Sequence, residues 1–183
     1  MYTFQDLEQL GENERERAEF VRKAVAAHKG TEEYKIAVDA EEYYARRNVT
    51  ISRYQKFLRD VLGRKVPDYF GANYKLKTGM FRRFVIQQTQ YVLSNGVTFE
   101  KDETKEKLGV LFDNVMQDMA KKALVDGVSF GFWNYDHLEV FGLADTRKNP
   151  GFAPLWCEET GALRAGIRYW RVGNTSRYTL YEV

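Results

Sequence analysis

The strongest constraint on the fold is a change in the hydrophobic pattern at Gly127. Before this residue, apolar side chains recur at steps of three and four residues, which is typical of amphipathic helices. After it, short aromatic segments alternate with polar residues and are separated by turn residues, as β-strands are. The sequence therefore predicts an α+β fold. Residues 1–126 form a helical N-terminal half of about four helices, two of them long, and pack with a strand-rich, mostly antiparallel part of the same domain over residues 127–183.

Start and stop signals place the predicted helices. Gly30 ends the first helical segment, and Thr31 is a typical N-cap for the next one. That second segment has acidic residues in its first turn and Arg46 and Arg47 in its last, as the helix dipole favours. The predicted helices cover residues 14–29, 31–47, 73–94 and 106–125, with a shorter one at 52–62.

The helix predicted at 73–94 has an apolar side that we expect to be buried. Leu76, Phe84 and Tyr91 lie on that side, and we expect them to pack against the apolar face of residues 106–125. A change of Phe84 to alanine would then destabilise the protein by about 3–5 kcal/mol.

The predicted strands lie after Gly127 and are joined by turns rich in Gly, Asn and Pro. They cover residues 128–135, 137–143, 153–157, 165–172 and 177–183.

Composition narrows the class of protein. The chain has 183 residues with ordinary hydrophobic and charged fractions, which fits one globular domain. Aromatic residues make up 15% of it, an excess that favours large cores and protein–protein interfaces. The single cysteine, Cys157, excludes an internal disulfide and points to a reducing cytoplasm. No apolar run approaches the ~20 residues that span a bilayer, and the acidic N-terminus is no signal peptide.

Positive charge is concentrated in the middle of the chain. Residues 51–90 carry nine Lys/Arg and two Asp/Glu, whereas residues 1–50 and 91–130 are each net acidic. Two interpretations stay open: the block contacts a nucleic-acid phosphate backbone, or acidic segments of this chain or of a neighbouring subunit neutralise it. The candidate subunit or DNA-backbone contacts are Arg53, Lys56, Arg59, Arg82 and Arg83.

Catalytic chemistry has little support in the sequence. His28 stands at a helix end, where a cation complements the dipole. His137 lies in a polar turn with no second His or Cys at metal-ligand spacing, and Cys157 has no base placed to activate it, so we expect a buried or neutral thiol. The glycine-rich segments lack the Lys-Ser/Thr of a phosphate loop. We therefore predict no catalytic, cofactor or metal site.

Several motifs resemble one family in their order. Asn73, Lys75 and Leu76 open a helix whose end carries Tyr91, Leu93 and Gly96. Upstream stands Glu42-Tyr43-Tyr44 followed by Asn48, and downstream comes Gly166-Ile167-Arg168-Tyr169-Trp170. Over residues 31–183 this order resembles the portal proteins of tailed bacteriophages. Ser94-Asn95-Gly96 departs from the Gly-x-Pro turn that is commoner in that family.

The resemblance implies a structural protein and not an enzyme. Portal subunits form a ring, usually of twelve copies, at one capsid vertex of the virion, and the ring is assembled in the cytoplasm of the bacterial host. Double-stranded DNA passes through it during packaging and ejection. Partners are the other subunits, the terminase motor, capsid or scaffolding protein, and head-completion proteins. No cofactor and no membrane are implied.

Portal proteins are longer than 183 residues, and the last predicted strand has no turn after it. We therefore expect an N-terminal fragment from the wing region, truncated within the strand-rich part, with the residues that line the DNA channel beyond position 183. We expect such a fragment to be monomeric or weakly associated. A short natural gene product is the other possibility. The alternative function is a small helical nucleic-acid-binding module that uses the basic block at 51–90.

Overall fold

The structure, a computed structural model, describes residues 2–146 and 149–182. It is a mixed α+β fold, as predicted, with a mostly antiparallel sheet. The predicted helical half is matched in part, since the described residues before Gly127 contain seven helices and also a β-hairpin. The helices are α1 (Phe4–Glu8), α2 (Glu14–Gly30), α3 (Glu32–Tyr44), α4 (Val49–Arg53), α5 (Met80–Leu93), α6 (Asp102–Leu108) and α7 (Phe112–Asp126).

The strands form two separate sheets. A two-stranded hairpin lies between α4 and α5, and a five-stranded sheet follows α7. The hairpin strands are β1 (Phe57–Arg59) and β2 (Lys65–Pro67), and the sheet strands are β3 (Ser129–Asn134), β4 (His137–Gly142), β5 (Gly151–Trp156), β6 (Leu163–Val172) and β7 (Thr175–Glu182). The sheet order is β3-β4-β5-β6-β7. All pairs are antiparallel except β4 and β5, which meet in parallel at Gly142 and Gly151.

The helix predicted at 52–62 is wrong. α4 ends at Arg53, and the chain continues into the β1–β2 hairpin. Asp60 and Gly63 provide the reason. The Asp60 carboxylate accepts backbone hydrogen bonds within the turn, and Gly63 has a φ of +80°, which ends a helix but suits a turn.

Two other predicted helices are shorter than expected. α5 begins at Met80 because Gly79 has a non-helical conformation, and residues 72–79 form no helix. The segment predicted at 106–125 is divided between α6 and α7 at Gly109, whose φ of +86° interrupts a right-handed helix. Residues 96–99, which follow α5, pair with no strand among the described residues.

The first part of the core joins the N-terminal helices to the sheet. Alternate residues of β6, among them Ala165, Ile167 and Tyr169, point towards α2, as a period of two requires. Phe20 and Val25 are among the α2 side chains that cover them. The helical and strand-rich parts therefore share this core.

The second part of the core is an aromatic cluster on the sheet. Phe141 and Phe152 stack with ring centroids 5.6 Å apart, and Phe130 lies 4.7 Å from Phe152. Ala37 of α3 is fully buried against this cluster. Offset aromatic pairs of this kind stabilise a core beyond the area they bury.

A buried polar network links α2 and α3 to the sheet. The Tyr169 hydroxyl donates to the Leu143 carbonyl at 2.7 Å, and the Tyr34 hydroxyl donates to Asp145 at 2.7 Å. Lys29 also donates to Asp145, at 2.9 Å. Paired polar groups at this depth fix the position of the helices on the sheet.

Candidate interaction surface

Residues 54–79, which we call the arm, expose most of their apolar side chains. Val61 and Phe70 are fully exposed and Leu76 is 79% exposed. The apolar residues exposed in the arm are Tyr54, Phe57, Leu58, Val61, Leu62, Val66, Tyr69, Phe70, Tyr74 and Leu76. Monomeric proteins rarely expose apolar surface so densely, and such surface marks a site of interaction.

The outer side of α5 is exposed as well, so the predicted packing of Leu76, Phe84 and Tyr91 is wrong. Phe84 is 59% exposed and Tyr91 is 88% exposed. The side of α5 that is buried carries Val85 and Thr89, and α7 is the helix it packs against. The sequence has apolar residues on more than one side of this helix, and only one side meets α7.

The turn between β1 and β2 is ordered and ends in aliphatic side chains. Asp60 Oδ1 accepts hydrogen bonds from the backbone N–H groups of Leu62 and Arg64, both at 2.9 Å. Asp60 Oδ2 accepts a third from Arg64 Nε, also at 2.9 Å. Val61 and Leu62 project from this turn and are 106% and 74% exposed. The tip of the hairpin is thus a preorganised apolar knob.

Two cations face each other across the hairpin. Arg59 pairs with Lys65 in the strand register, which places both side chains on one face of the hairpin. Like charges directly opposite each other destabilise a strand pair. Within residues 2–146 and 149–182, neither side chain has a carboxylate at ion-pair distance, whereas Lys56 lies 3.4 Å from Asp68. The hairpin therefore presents unmatched positive charge beside its apolar tip.

The five predicted contact residues lie on three elements and differ in their surroundings. Arg53, Arg59 and Arg83 are exposed at the end of α4, on β1 and on α5. Lys56 is paired with Asp68, and the Arg82 guanidinium lies over the Tyr44 ring at 5.5 Å.

The basic block makes its ion pairs within itself in the described part of the chain. The ion pairs of residues 51–90 are made with Asp60 and Asp68, which belong to the block. Both interpretations of the sequence stay predictions: contact with a nucleic-acid backbone, and neutralisation by acidic segments of this chain or of a neighbouring subunit.

A groove between α2 and β7 has an apolar floor and carboxylates on its rim. It has a volume of about 700 Å³, and Ala18, Val21 and Leu180 contribute apolar surface. Glu12 and Glu14 stand at its edge. Arg17 and Arg22 also line the groove, and Arg17 is already paired with Glu182.

A second groove of about 620 Å³ lies between α5 and α7. Its lining includes Phe84, Tyr91, Gln88 and Leu124, and it contains no carboxylate. Arg82 and Arg83 are on the same helix, so cations rather than anions stand near this groove.

A buried ion cluster lies where α3, α7 and β4 meet. Lys122 pairs with Glu41 and lies 3.7 Å from Asp126. The Asp126 side chain is fully buried, and neither of its oxygens accepts a well-formed hydrogen bond from the described residues. Burial raises the pKa of Asp126 to about 6, Lys122 opposes this increase, and Glu41 adds to it.

Substituting Asp126 with asparagine should stabilise the protein at neutral pH. The pKa of Asp126 is raised on folding, so the folded state holds its proton while the unfolded chain releases it. The free energy of unfolding of the wild type then falls by up to about 3 kcal/mol as pH rises from about 4 through 6, because a shift of one pKa unit equals ~1.4 kcal/mol. The free energy of unfolding of Asp126→Asn should equal that of the wild type near pH 4 and exceed it by about 3 kcal/mol at pH 7.5. Urea unfolding at the two pH values measures both. Equal stability at pH 7.5 would contradict the raised pKa.

The histidines and the cysteine differ partly from expectation. His28 is not an exposed helix-end cation: it is 5% exposed, and burial lowers its pKa, so it is neutral at pH 7. His137 lies exposed beside the β3–β4 turn, with Asp136 at 2.8 Å. Cys157 is half-buried rather than buried, and hydrogen bonds from Thr160 lower its pKa to about 7. Gln5 also donates to Cys157 Sγ, at 3.1 Å.

Two further findings bear on function. Across residues 2–146 and 149–182, no group of three or more His, Cys, Asp or Glu side chains is placed to hold a metal ion. None of the helices in this described part is long and apolar enough to cross a bilayer.

No protein-family model matches the chain, and no curated protein sequence matches it.

The apolar tip of the hairpin was not predicted from the sequence. The signal was present: Asp60 and Gly63 enclose Val61 and Leu62, and an Asp followed by a Gly between alternating segments is typical of a turn.

Proposed function

We propose that this chain is the N-terminal wing portion of a portal subunit of a tailed bacteriophage or prophage. In that role it is a structural element of a ring at one capsid vertex, through which double-stranded DNA is packaged and ejected. Terminase, capsid or scaffolding protein and head-completion proteins dock on the ring. The energy for packaging comes from the motor's ATPase, so this chain needs no catalytic site.

The exposed arm is the observation that carries the proposal. A subunit of a ring must present apolar surface that is covered only when its neighbours are in place. The arm and the outer side of α5 present such surface, and the order of motifs from Tyr43 to Trp170 agrees with the portal family. In this proposal the helical residues and the five-stranded sheet form one wing.

The test is the composition of virus particles. Particles are produced from the host that encodes the chain, purified on a density gradient and analysed by quantitative mass spectrometry with isotope-labelled peptides of this protein and of the major capsid protein. A portal subunit is expected at about one ring, usually twelve copies, per particle. Absence from the particles, or a copy number comparable to the major capsid protein, contradicts the proposal.

A nucleic-acid-binding module is the second candidate. The observation that favours it is the hairpin, where Arg59 faces Lys65 and shares a face of β1 with the exposed aromatic residue Phe57. Aromatic stacking combined with cations is the usual means of holding single strands.

Binding to duplex DNA separates the two candidates. For a portal wing we expect no sequence preference and a dissociation constant near or weaker than the ~10⁻⁴–10⁻⁶ M of non-specific binders, measured by fluorescence anisotropy at two salt concentrations. Reversing Arg82 and Arg83 to Glu should disturb folding or subunit contacts more than DNA affinity, because Arg82 packs on Tyr44. Tight, salt-resistant binding that this reversal abolishes would establish the binding module instead.

A further inference from the structure

We propose that the hairpin tip of one copy docks into the groove between α2 and β7 of a second copy. Val61 and Leu62 would enter the groove, and Arg59 and Lys65 would face Glu12 and Glu14 at its rim. This inference rests on the proposed function, because it names the contact by which neighbouring subunits meet.

The hairpin requires a partner on physical grounds. A two-stranded hairpin is at best marginally stable alone in water, and this one exposes apolar residues on both faces. Phe57 is 54% exposed on the face that carries Arg59, and Leu58 is 53% exposed on the other. Its turn is nevertheless fixed by three hydrogen bonds to Asp60. A preorganised tip loses little entropy on docking.

Charge identifies the kind of surface that receives the tip. The arm carries six Lys/Arg and two Asp/Glu, whereas the rest of the chain carries 22 Lys/Arg and 24 Asp/Glu. A second copy therefore offers a surface of opposite sign. The facing pair Arg59 and Lys65 is relieved when carboxylates approach it.

The α2–β7 groove is the receiving site that fits. Val21 and Leu180 give it apolar surface, and Glu12 and Glu14 are exposed with no ion pair to another described residue. Of the two arginines in its lining, Arg17 is paired with Glu182, so the charged groups left for a partner are two carboxylates and Arg22. The groove between α5 and α7 fits less well, because no carboxylate lines it. A knob and a groove on different surfaces of one chain form a heterologous contact, which gives a ring when the rotation between copies closes and a filament when it does not.

A charge-swap experiment tests the contact. The hairpin variant carries Arg59→Glu and Lys65→Glu, and the groove variant carries Glu12→Lys and Glu14→Lys. Wild-type protein should show weak, concentration-dependent association by sedimentation equilibrium, at ~10⁻⁵–10⁻³ M because the tip covers less than the ~1,600 Å² of a standard interface. Each variant alone should associate at least about tenfold more weakly. An equimolar mixture of the two should recover the association, since both contacts are then complementary.

Matched controls separate docking from folding and from general charge effects. The variant Lys35→Glu with Lys107→Glu makes the same change of charge on exposed residues outside both the arm and the groove, and it should associate like the wild type. The single substitution Arg59→Glu places an opposite charge across from Lys65, so it should leave thermal unfolding unchanged or improved while it still weakens association.

Three outcomes overturn the inference. They are no association of the wild type up to ~10⁻³ M, no recovery in the mixture, and hairpin-dependent sedimentation with anionic lipid vesicles in place of self-association. Each of these leaves the portal proposal standing if the protein is found in particles at ring stoichiometry. If the protein is absent from particles but the mixture recovers association, the contact between copies is supported and the portal proposal is contradicted.

Discussion

Replacing Phe141 with alanine is expected to destabilise the protein by about 3–5 kcal/mol, the range found when buried phenylalanines are removed. Phe141 is 2% exposed and stacks on Phe152 at 5.6 Å. The Arg168 guanidinium lies 5.2 Å from its ring, and Tyr181 stacks on it at 6.2 Å. The substitution leaves a cavity among groups that the sheet holds in place, so little of the loss is recovered by relaxation.

Phe84→Ala is the matched control, since it removes the same atoms from a residue that is 59% exposed. Its effect should stay below about 1 kcal/mol, as for most exposed positions. In thermal unfolding, the melting temperature should fall by an amount on the order of 10 °C for Phe141→Ala and by a few degrees at most for Phe84→Ala. Equal losses for the two variants would mean that α5 buries the side that the structure exposes.

The helices with local caps were the most predictable part of the fold. Thr31 accepts a hydrogen bond from the Tyr34 amide and begins α3 where the sequence indicates. The strands after Gly127 were predictable for the same reason, because Asn149-Pro150, Gly161 and Gly173 separate their alternating segments. In both cases the determining interactions lie within a few residues of one another.

The hairpin could not be predicted from hydrophobic periodicity. Tyr54, Phe57, Leu58, Val61 and Leu62 recur with a helical period, which favours a helix over 52–62. In the structure the same five residues are exposed, and the Asp60 turn and strand pairing with 65–67 decide the local conformation. The Asp60 and Gly63 turn residues are as visible in the sequence as the helical period, and the structure follows the turn.

Part of the site depends on contacts between distant residues, which one sequence does not reveal. The neutral state of His28 follows from burial beside Leu143, 115 positions away in the chain. The groove is formed by α2, near the start of the chain, and β7, the last strand that the structure describes. The basic block itself was visible in the sequence, but its lack of acidic partners in the flanking segments was not.

Gly166→Ala is expected to destabilise the protein by more than about 3 kcal/mol, at or beyond the upper end of the range for overpacked cores. Gly166 lies in the centre of β6, and a Cβ there would overlap the Cζ atom of the Phe152 ring. That ring is held by Phe130 and Phe141 on its other sides and is only 6% exposed, so it has no room to withdraw. The absence of a side chain at Gly166 is what allows the aromatic cluster to lie on the sheet.

Gly131→Ala makes the same change in β3 and provides the control. A Cβ at Gly131 would meet the Leu138 Cδ1 at 3.2 Å and the Met119 Cε at 3.5 Å, both at the ends of flexible side chains. Alanine also suits a strand interior better than glycine, so Gly131→Ala should change the free energy of unfolding by no more than about 1 kcal/mol. Urea unfolding of the two variants followed by tryptophan fluorescence measures the difference directly. If Gly166→Ala unfolds at the same urea concentration as Gly131→Ala, Phe152 does not lie against β6, and the aromatic cluster must be arranged in some other way.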